Sequence, residues 1–284
     1  MISFGIRNLK VFFKDKSSVF FSLLAVFIII GLYALFLGDV WVGNFSGVPD
    51  VRFLMDSWIM AGLLAVTTVT TTMGAFGIMV QDKERKIVKD FAASPISKNS
   101  IVGGYILGSL VIGIIMSIVT LVLAEIYIVA SGGEYMDLIT LLKVLGLIIL
   151  STLCSTSLVL FIVSFFKSSN AFATASTILG TLIGFLTGIY LPIGVLPEGV
   201  QLIVKCFPVS HAAALFRQVM MDYPISKSFA GAPEQIINDF NESMGVTFKF
   251  NDTAVTPLTS IIILLATAAV FYTLSLINIS RKQK

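Results

Sequence analysis

Six stretches of this chain are apolar for about 19 to 28 residues each, long enough to cross the hydrocarbon core of a bilayer as a helix. They lie near 19–37, 58–80, 101–128, 139–166, 171–191 and 257–279. In water such segments would aggregate. Charged residues make up 12% of the sequence, about half the share of a soluble domain. The longest gaps, 38–57, 81–100 and 192–256, are too short for an independent enzyme domain. The expectation is an all-α membrane protein in which residues 1–284 form a single transmembrane domain.

Basic residues set the orientation. If the N-terminus is cytoplasmic, six crossings return the C-terminus to the same side. Arg7, Lys10, Lys14 and Lys16 then lie inside, with Lys83, Arg85, Lys86, Lys89 and Lys98 in 81–100, Lys167, and Arg281, Lys282 and Lys284. Most of the 19 Lys and Arg are thereby cytoplasmic, as the positive-inside bias requires. The prediction is a multi-pass plasma-membrane protein with both termini in the cytoplasm. The first apolar run is followed by bulky residues rather than a signal-peptide cleavage pattern. Cys154 and Cys206 make no disulfide framework and read as buried, inert thiols.

Before the first span, Ile2, Ile6, Leu9 and Phe13 share one helical face, and Arg7, Lys10 and Lys14 an adjacent stripe. This predicts an interfacial amphipathic helix within 1–18, either a plain anchor or a mechanical link to something cytoplasmic. Residues 38–57 read as a polar external connector, bracketed by Trp41 and Trp58 at interfacial depth. In the second span, Thr67, Thr68, Thr70, Thr71 and Thr72 cover about 200° of the helix. They are either satisfied on their own backbone or turned toward other helices or a wet path, and helix contact is the favoured reading.

The loop 81–100, QDKERKIVKDFAASPISKNS, carries eight charges. Asp82, Glu84, Arg85 and Lys89 suit a short amphipathic helix that Pro95 ends. Ile87, Val88 and Phe91 give it a small apolar face that a docking partner could use. In the fifth span Ser176, Gly180, Gly184 and Gly188 recur at four-residue spacing, clearing one face for close helix approach. Gly104, Gly108, Ser109, Gly113 and Ser117 do so more loosely in the third. Glu125 and Lys143 stand near the external ends of adjacent spans, where they either pair or reach the interface.

Residues 191–220 are too apolar for an ordinary loop and too broken by Pro192, Pro197 and Pro208 to span. They predict a re-entrant helical hairpin between the fifth and sixth spans, since non-helical backbone at membrane depth must be covered by protein or line a wet cavity. The external segment is 191–256. No phosphate-binding GxxxxGK[ST] loop occurs, no metal-ligand cluster and no catalytic nucleophile context. His211, the one histidine, reads as a packed, hydrogen-bonded side chain.

This layout resembles the type-2 membrane (permease) subunits of bacterial ABC exporters. The resemblance covers nearly the whole chain: basic interfacial helix, six transmembrane helices, charged first cytoplasmic loop, re-entrant external hairpin. Two local stretches carry it further. DKERKIVKDFAASPIS is similar to the family's charged helix ending in Ser-Pro, a small apolar residue and Ser (here Ser97). LPEGVQLIVKCFPVSHAAALFRQVM is similar to its Pro, amphipathic run, second Pro and closing Arg, here Pro197, Pro208 and Arg217. The chain departs from the pattern at Lys86, where many members have Gly.

The resemblance implies that 82–97 is a coupling helix seated in a separate cytoplasmic ATP-binding subunit. Asp82, Glu84, Arg85 and Lys89 would make polar contacts there and Phe91 the apolar one, with Pro95 and Ser97 closing the loop. Arg7, Lys10 and Lys14 would touch the same subunit. ATP and Mg would sit on that partner, with no cofactor on this chain. The second and fifth spans of two permease copies, identical or not, would line the path through Thr67, Thr68, Thr71, Ser176, Gly180, Gly184 and Gly188. Pro192, Pro197, Pro208, His211 and Arg217 would belong to an external gate. The expected partners are the ATPase, a second permease and the bilayer, with no nucleic acid. An apolar, hydroxyl-bearing path suits a hydrophobic or amphipathic cargo such as a drug, antibiotic, antimicrobial peptide or lipid. The alternatives are a cell-wall polysaccharide or glycolipid, or a sensor subunit that moves nothing.

Overall fold

In a bilayer the backbone must satisfy its own N–H and C=O groups, and helix does so within one segment. The computed structural model describes residues 1–284 except 46, 94–95, 251–252 and 282–284. In chain order the helices are α1 (Ile2–Lys14), α2 (Lys16–Ser22), α3 (Leu24–Leu32), α4 (Gly38–Asn44), α5 (Val51–Glu84), α6 (Ile87–Ala93), α7 (Lys98–Ala130), α8 (Leu138–Val163), α9 (Ser169–Leu186), α10 (Glu198–Cys206), α11 (Pro208–Met220), α12 (Asp222–Ser228), α13 (Glu234–Ser243) and α14 (Pro257–Arg281). A two-residue antiparallel pair, β1 (Lys249–Phe250) and β2 (Thr253–Ala254), precedes α14. Among the described residues five helices, α5, α7, α8, α9 and α14, are long and apolar enough to cross a membrane, and two bent pairs, one from Lys16 to Val40 and one from Glu198 to Met220, bring the count to as many as seven.

The first apolar run is not one straight helix. Asp15 ends α1 and caps α2, accepting from the Ser17 and Ser18 amides and, at 2.7 Å, from the Ser18 hydroxyl. Those donors hold its carboxyl below the usual range. At Leu23 the helix bends by 43°, and Tyr33–Leu37 forms a wider π turn.

Residues 38–57 are mostly helical rather than an open connector. α4 occupies the start, and α5 begins at Val51, just after Asp50 in the left-handed conformation (φ 50°). That early start carries Trp58 two turns into the bundle, where its indole is fully buried among the helices.

α5 is the centre of the fold. Its 34 residues span about 50 Å, and nearly every face is covered, by α7, α8, α9 and α11. Helix α14 packs on α8 and α11, and α1 lies along α7. The α1–α7 crossing depends on glycines: a Cβ at Gly104 would stand 2.7 Å from the Phe4 ring, and one at Gly108 3.0 Å from Asn8 Cβ. Phe4, Asn8 and Phe12 recur every four residues and form the buried stripe of α1, while Ile2, Ile6 and Phe13 are exposed.

Contacts between distant segments define two ends. At the first, called here the α1 end, Ser169 donates to Glu84 and Asn278 to Ser164. At the other, the hairpin end, Ser210 donates to Leu186 O at 2.6 Å, and Lys227 pairs with Glu134 at 2.9 Å and Asp50 at 3.3 Å.

Two expectations about helix limits change. Asp82 and Glu84 belong to the last turn of α5, and Lys86, with φ 62°, separates that turn from the seven-residue α6. The fifth apolar run stops being helical at Leu186. Gly188 (φ 69°) closes α9 with Gly188 N–H on Phe185 O and Ile189 N–H on Gly184 O, a Schellman end. Gly188 is therefore a terminator and not the third glycine of a helical face.

Candidate functional site

At the α1 end, Arg7 of α1 meets Asp82 of α5 through two bonds, Nη1–Oδ2 at 2.5 Å and Nη2–Oδ1 at 3.0 Å. Tyr105 of α7 donates to the same carboxylate at 2.6 Å. Arg7 Nη1 also donates to Asn8 Oδ1 at 3.0 Å, and Asn8 Nδ2 to Gly104 O at 3.2 Å. The guanidinium lies over the rings of Phe4 and Phe91, 5.6 and 5.3 Å from their centroids, and those rings meet edge-on at 5.0 Å. Three helices and α6 thus converge on one carboxylate. Charge-assisted, bidentate bonding makes this the strongest polar junction the geometry allows.

This changes what the predicted coupling residues do. Asp82 is 5% exposed at its side chain and Arg7 32%, so both are engaged within the chain. Phe91 is half-buried and turned toward Phe4 instead of outward. Ser97 caps α7, accepting from the Ser100 amide at 3.3 Å. Pro95 lies outside the described residues. Glu84, Arg85, Lys89, Lys10 and Lys14 are exposed at this end and form a charged surface around the junction. Sequence reasoning missed Tyr105, Phe4 and Asn8. The signal for Asn8 was its place between Phe4 and Phe12 on an otherwise apolar stripe.

The hydroxyl run of α5 does not face an open path. Thr67, Thr68, Thr71 and Thr72 are fully buried among α7 and α8. Each bonds its own helix: Thr67 to Leu63 O (2.8 Å), Thr71 to Thr67 O (2.7 Å), Thr72 to Thr68 O (2.8 Å) and Thr68 to Ala65 O (2.8 Å). Thr68 also reaches Ser155 of α8 at 3.0 Å. Because α5 is central, its small polar stripe serves helix contact inside one chain.

Helix α9 is the least buried of the five long helices. A Cβ at Gly180 would meet nothing within 4 Å, whereas one at Gly184 would strike the Tyr190 ring at 2.2 Å. Gly180 thus has open space beside it, whereas the Ser176 hydroxyl is buried and Gly184 is filled from within; the exposed Ile178 and Leu182 lie on the other side of the helix.

At the hairpin end, α10 and α11 meet at 85°, with Pro208 at the first position of α11. Proline suits that position and ends the preceding helix. Pro192 and Pro197 stand before the short turn Ile193–Val195 and before α10. His211 is buried and cross-braces the region, Nδ1 to Ser260 Oγ at 3.0 Å and Nε2 to Lys205 O at 2.9 Å. Arg217 is 2% exposed, and its Nε and Nη2 have no hydrogen-bond partner among the described residues. Its guanidinium lies over Trp58, 4.7 Å from the ring, whose Nε1 donates to Met244 O at 2.7 Å. Gly62 makes room for it: a Cβ there would stand 2.9 Å from Nη2.

Glu125 and Lys143 form no ion pair; Glu125 accepts from the Met136 amide at 3.3 Å. A cavity of about 290 Å³ opens at this end, lined by Glu125, Glu134, Asp137, Tyr135 and Tyr223 among others. Both cysteines are free thiols, Cys154 buried and Cys206 exposed rather than buried as expected. No group of metal-ligating side chains occurs among the described residues.

Comparison with known proteins adds a family. The family described as "ABC-2 family transporter protein" matches residues 51–277. Curated relatives are Nodulation protein J of Rhizobium leguminosarum bv. trifolii, 27% identical over 186 residues (66% of this chain, 68% of that protein), and Nodulation protein J of Rhizobium meliloti (strain 1021), 24% identical over 184 residues (65% and 67%). The Rhizobium leguminosarum bv. viciae protein of the same name is 27% identical over 187 residues (66% and 69%).

Proposed function

The chain belongs to the ABC-2 family of transporter proteins, and from that premise we propose that it is the permease of an exporter driven by a separate ATPase. The observation that carries the reading is the junction of Arg7, Asp82 and Tyr105 beneath an exposed charged elbow. A motor subunit gripping Glu84, Arg85 and Lys89 would displace α6 and the end of α5 together, because Asp82 ties that end to α1 and α7. ATP and Mg belong to the motor. The α1 end is cytoplasmic, as its density of Lys and Arg supports, and both termini lie there. Six spans result if α2 and α3 with the turns that follow make one bent crossing and the α10–α11 pair dips into the opposite leaflet without crossing. A second permease copy packs on α9, the least buried of the long helices, in the open space beside Gly180.

The cargo is hydrophobic or amphipathic. One observation favours a glycolipid among such cargoes: carboxylates and tyrosines, the groups that bond and stack on hydroxyl-rich head groups, line the cavity at the hairpin end.

Reconstitution with the cognate ATPase tests the scheme. A Glu84→Ala/Arg85→Ala double variant should stay in the membrane and lose ATP-dependent export. Undiminished export by that variant removes the elbow as the coupling site, and a wild-type complex that hydrolyses ATP yet moves no cargo favours the sensor alternative.

A further inference from the structure

A groove of about 540 Å³ runs between α8, α11 and α14 at the hairpin end, apart from the elbow and the α9 flank. Its lining is ordered by polarity. Lys143 and Asp222 stand toward the end of the bundle, and Leu150 and Ile261 lie deeper. From Lys143 to Leu150 the groove follows α8 for about 10 Å, a polar mouth above an apolar trough. Lys143 and Asp222 are exposed and line the same groove, yet neither forms an ion pair among the described residues. Gln218, between them in depth, gives its Nε2 to Val246 O at 2.8 Å, while its Oε1 is buried without a hydrogen-bond partner among the described residues. Beside it Gly146 opens the wall, since a Cβ there meets nothing within 4 Å.

We infer that this groove holds a bilayer phospholipid whose head group carries a primary amine, such as phosphatidylethanolamine. The charges fit that head group and not its common rivals. The Lys143 ammonium answers the phosphate. Asp222 is an anion that can only accept, and a cation that donates N–H bonds answers it best. Phosphatidylcholine has the positive charge without the N–H groups, and phosphatidylglycerol offers hydroxyls but no cation for Asp222. Both acyl-chain demand and head-group demand are met by one amphiphile standing upright in the leaflet. This site stands independently of the transport reading.

Native mass spectrometry of the full-length protein, released from detergent with equimolar phosphatidylethanolamine, phosphatidylcholine and phosphatidylglycerol of matched chains, tests it. Phosphatidylethanolamine should be retained at least about tenfold over either rival, the discrimination of one charge-assisted hydrogen bond. Asp222→Asn should erase the preference over phosphatidylcholine. Gly146→Leu fills the trough, leaves every charge in place and raises helix propensity, so it keeps the test valid if Asp222→Asn folds poorly; it should abolish retention. Equal retention of the three lipids by the wild type overturns the proposal. So does a preference for phosphatidylglycerol, or retention unchanged in Gly146→Leu.

Discussion

Arg7 and Asp82, 75 positions apart in sequence, face each other through two bonds of 2.5 and 3.0 Å and join the first helix to the end of the central one. The pair is asymmetric: the arginine reaches water and the carboxylate does not. Arg7→Ala leaves a buried carboxylate with Tyr105 alone and should cost about 2 kcal/mol, below the usual penalty for a broken buried pair because Arg7 is partly solvated. Asp82→Asn keeps an acceptor for Tyr105 and frees an arginine that can hydrate, so about 1 kcal/mol is expected. Thermal unfolding of both single variants and the double variant in detergent checks the order. Equal losses would mean the carboxylate is better hydrated than its burial indicates.

Lys86 holds a left-handed backbone at the turn between α5 and α6. Side chains other than glycine are strained there by about 1–2 kcal/mol. Lys86→Gly should relieve most of that strain and raise the unfolding midpoint, and Lys86→Val should lower it. A drop in both variants would show that the lysine side chain, rather than the backbone, matters at this turn.

Arg217 is a buried charge with two unsatisfied nitrogens over Trp58. Replacing such a group by an apolar one of similar length is neutral or stabilising by about 1–4 kcal/mol. Arg217→Met should therefore melt no lower than the wild type while losing ATP-dependent export, because the guanidinium has no structural reason to be retained. Export at wild-type rate with unchanged stability would remove Arg217 from the gate.

Two glycines make opposite predictions. A Cβ at Gly113 would stand 2.6 Å from Thr152 Cγ2 and 2.9 Å from Thr72 Cγ2, both branched core methyls. Gly113→Ala should cost about 1–3 kcal/mol by overpacking. At Gly180 the space is open, so Gly180→Leu should leave the monomer's melting unchanged and weaken association of two copies, read by crosslinking in native vesicles. Intact pairing would place the second copy elsewhere.

At the hairpin end, Lys227 and the Tyr223 hydroxyl hold the Glu134 carboxyl below its ordinary range. A carboxyl lowered by folding contributes its stabilisation above its unfolded pKa of about 4.3 and loses it as pH falls through the depressed value. Spin labels at Gly132 and Ser226 should report a narrow distance distribution at pH 7 that broadens well below pH 4, and already at pH 7 in Lys227→Ala. A distribution indifferent to pH in both proteins would show that the ion pair closes nothing.

Much of this architecture was legible in the sequence because apolar length and proline positions have few physical solutions. The long helices and the sharp break between α10 and α11 at Pro208 follow from those alone. What was misread had two meanings in one pattern. Gly180, Gly184 and Gly188 are spaced as a packing face, but glycine also ends helices, and only the backbone at Gly188 decides. Trp58 is of a type that favours interfaces, and its burial depends on α5 starting seven residues ahead of it. The threonine stripe left helix contact and a path both open, with helix contact the better reading, because a helix wheel cannot tell a central helix from a lining one. Asp82 looked like a surface charge until α1 was folded onto α7.

One uninterrupted helix carries both Asp82 and Trp58, about 36 Å apart along its axis. With the junction at one end and the guanidinium's platform at the other, neither can shift alone. If a motor pulls the elbow as proposed, the indole slides beneath Arg217 as a piston moves its head, with no relay of intermediate side chains.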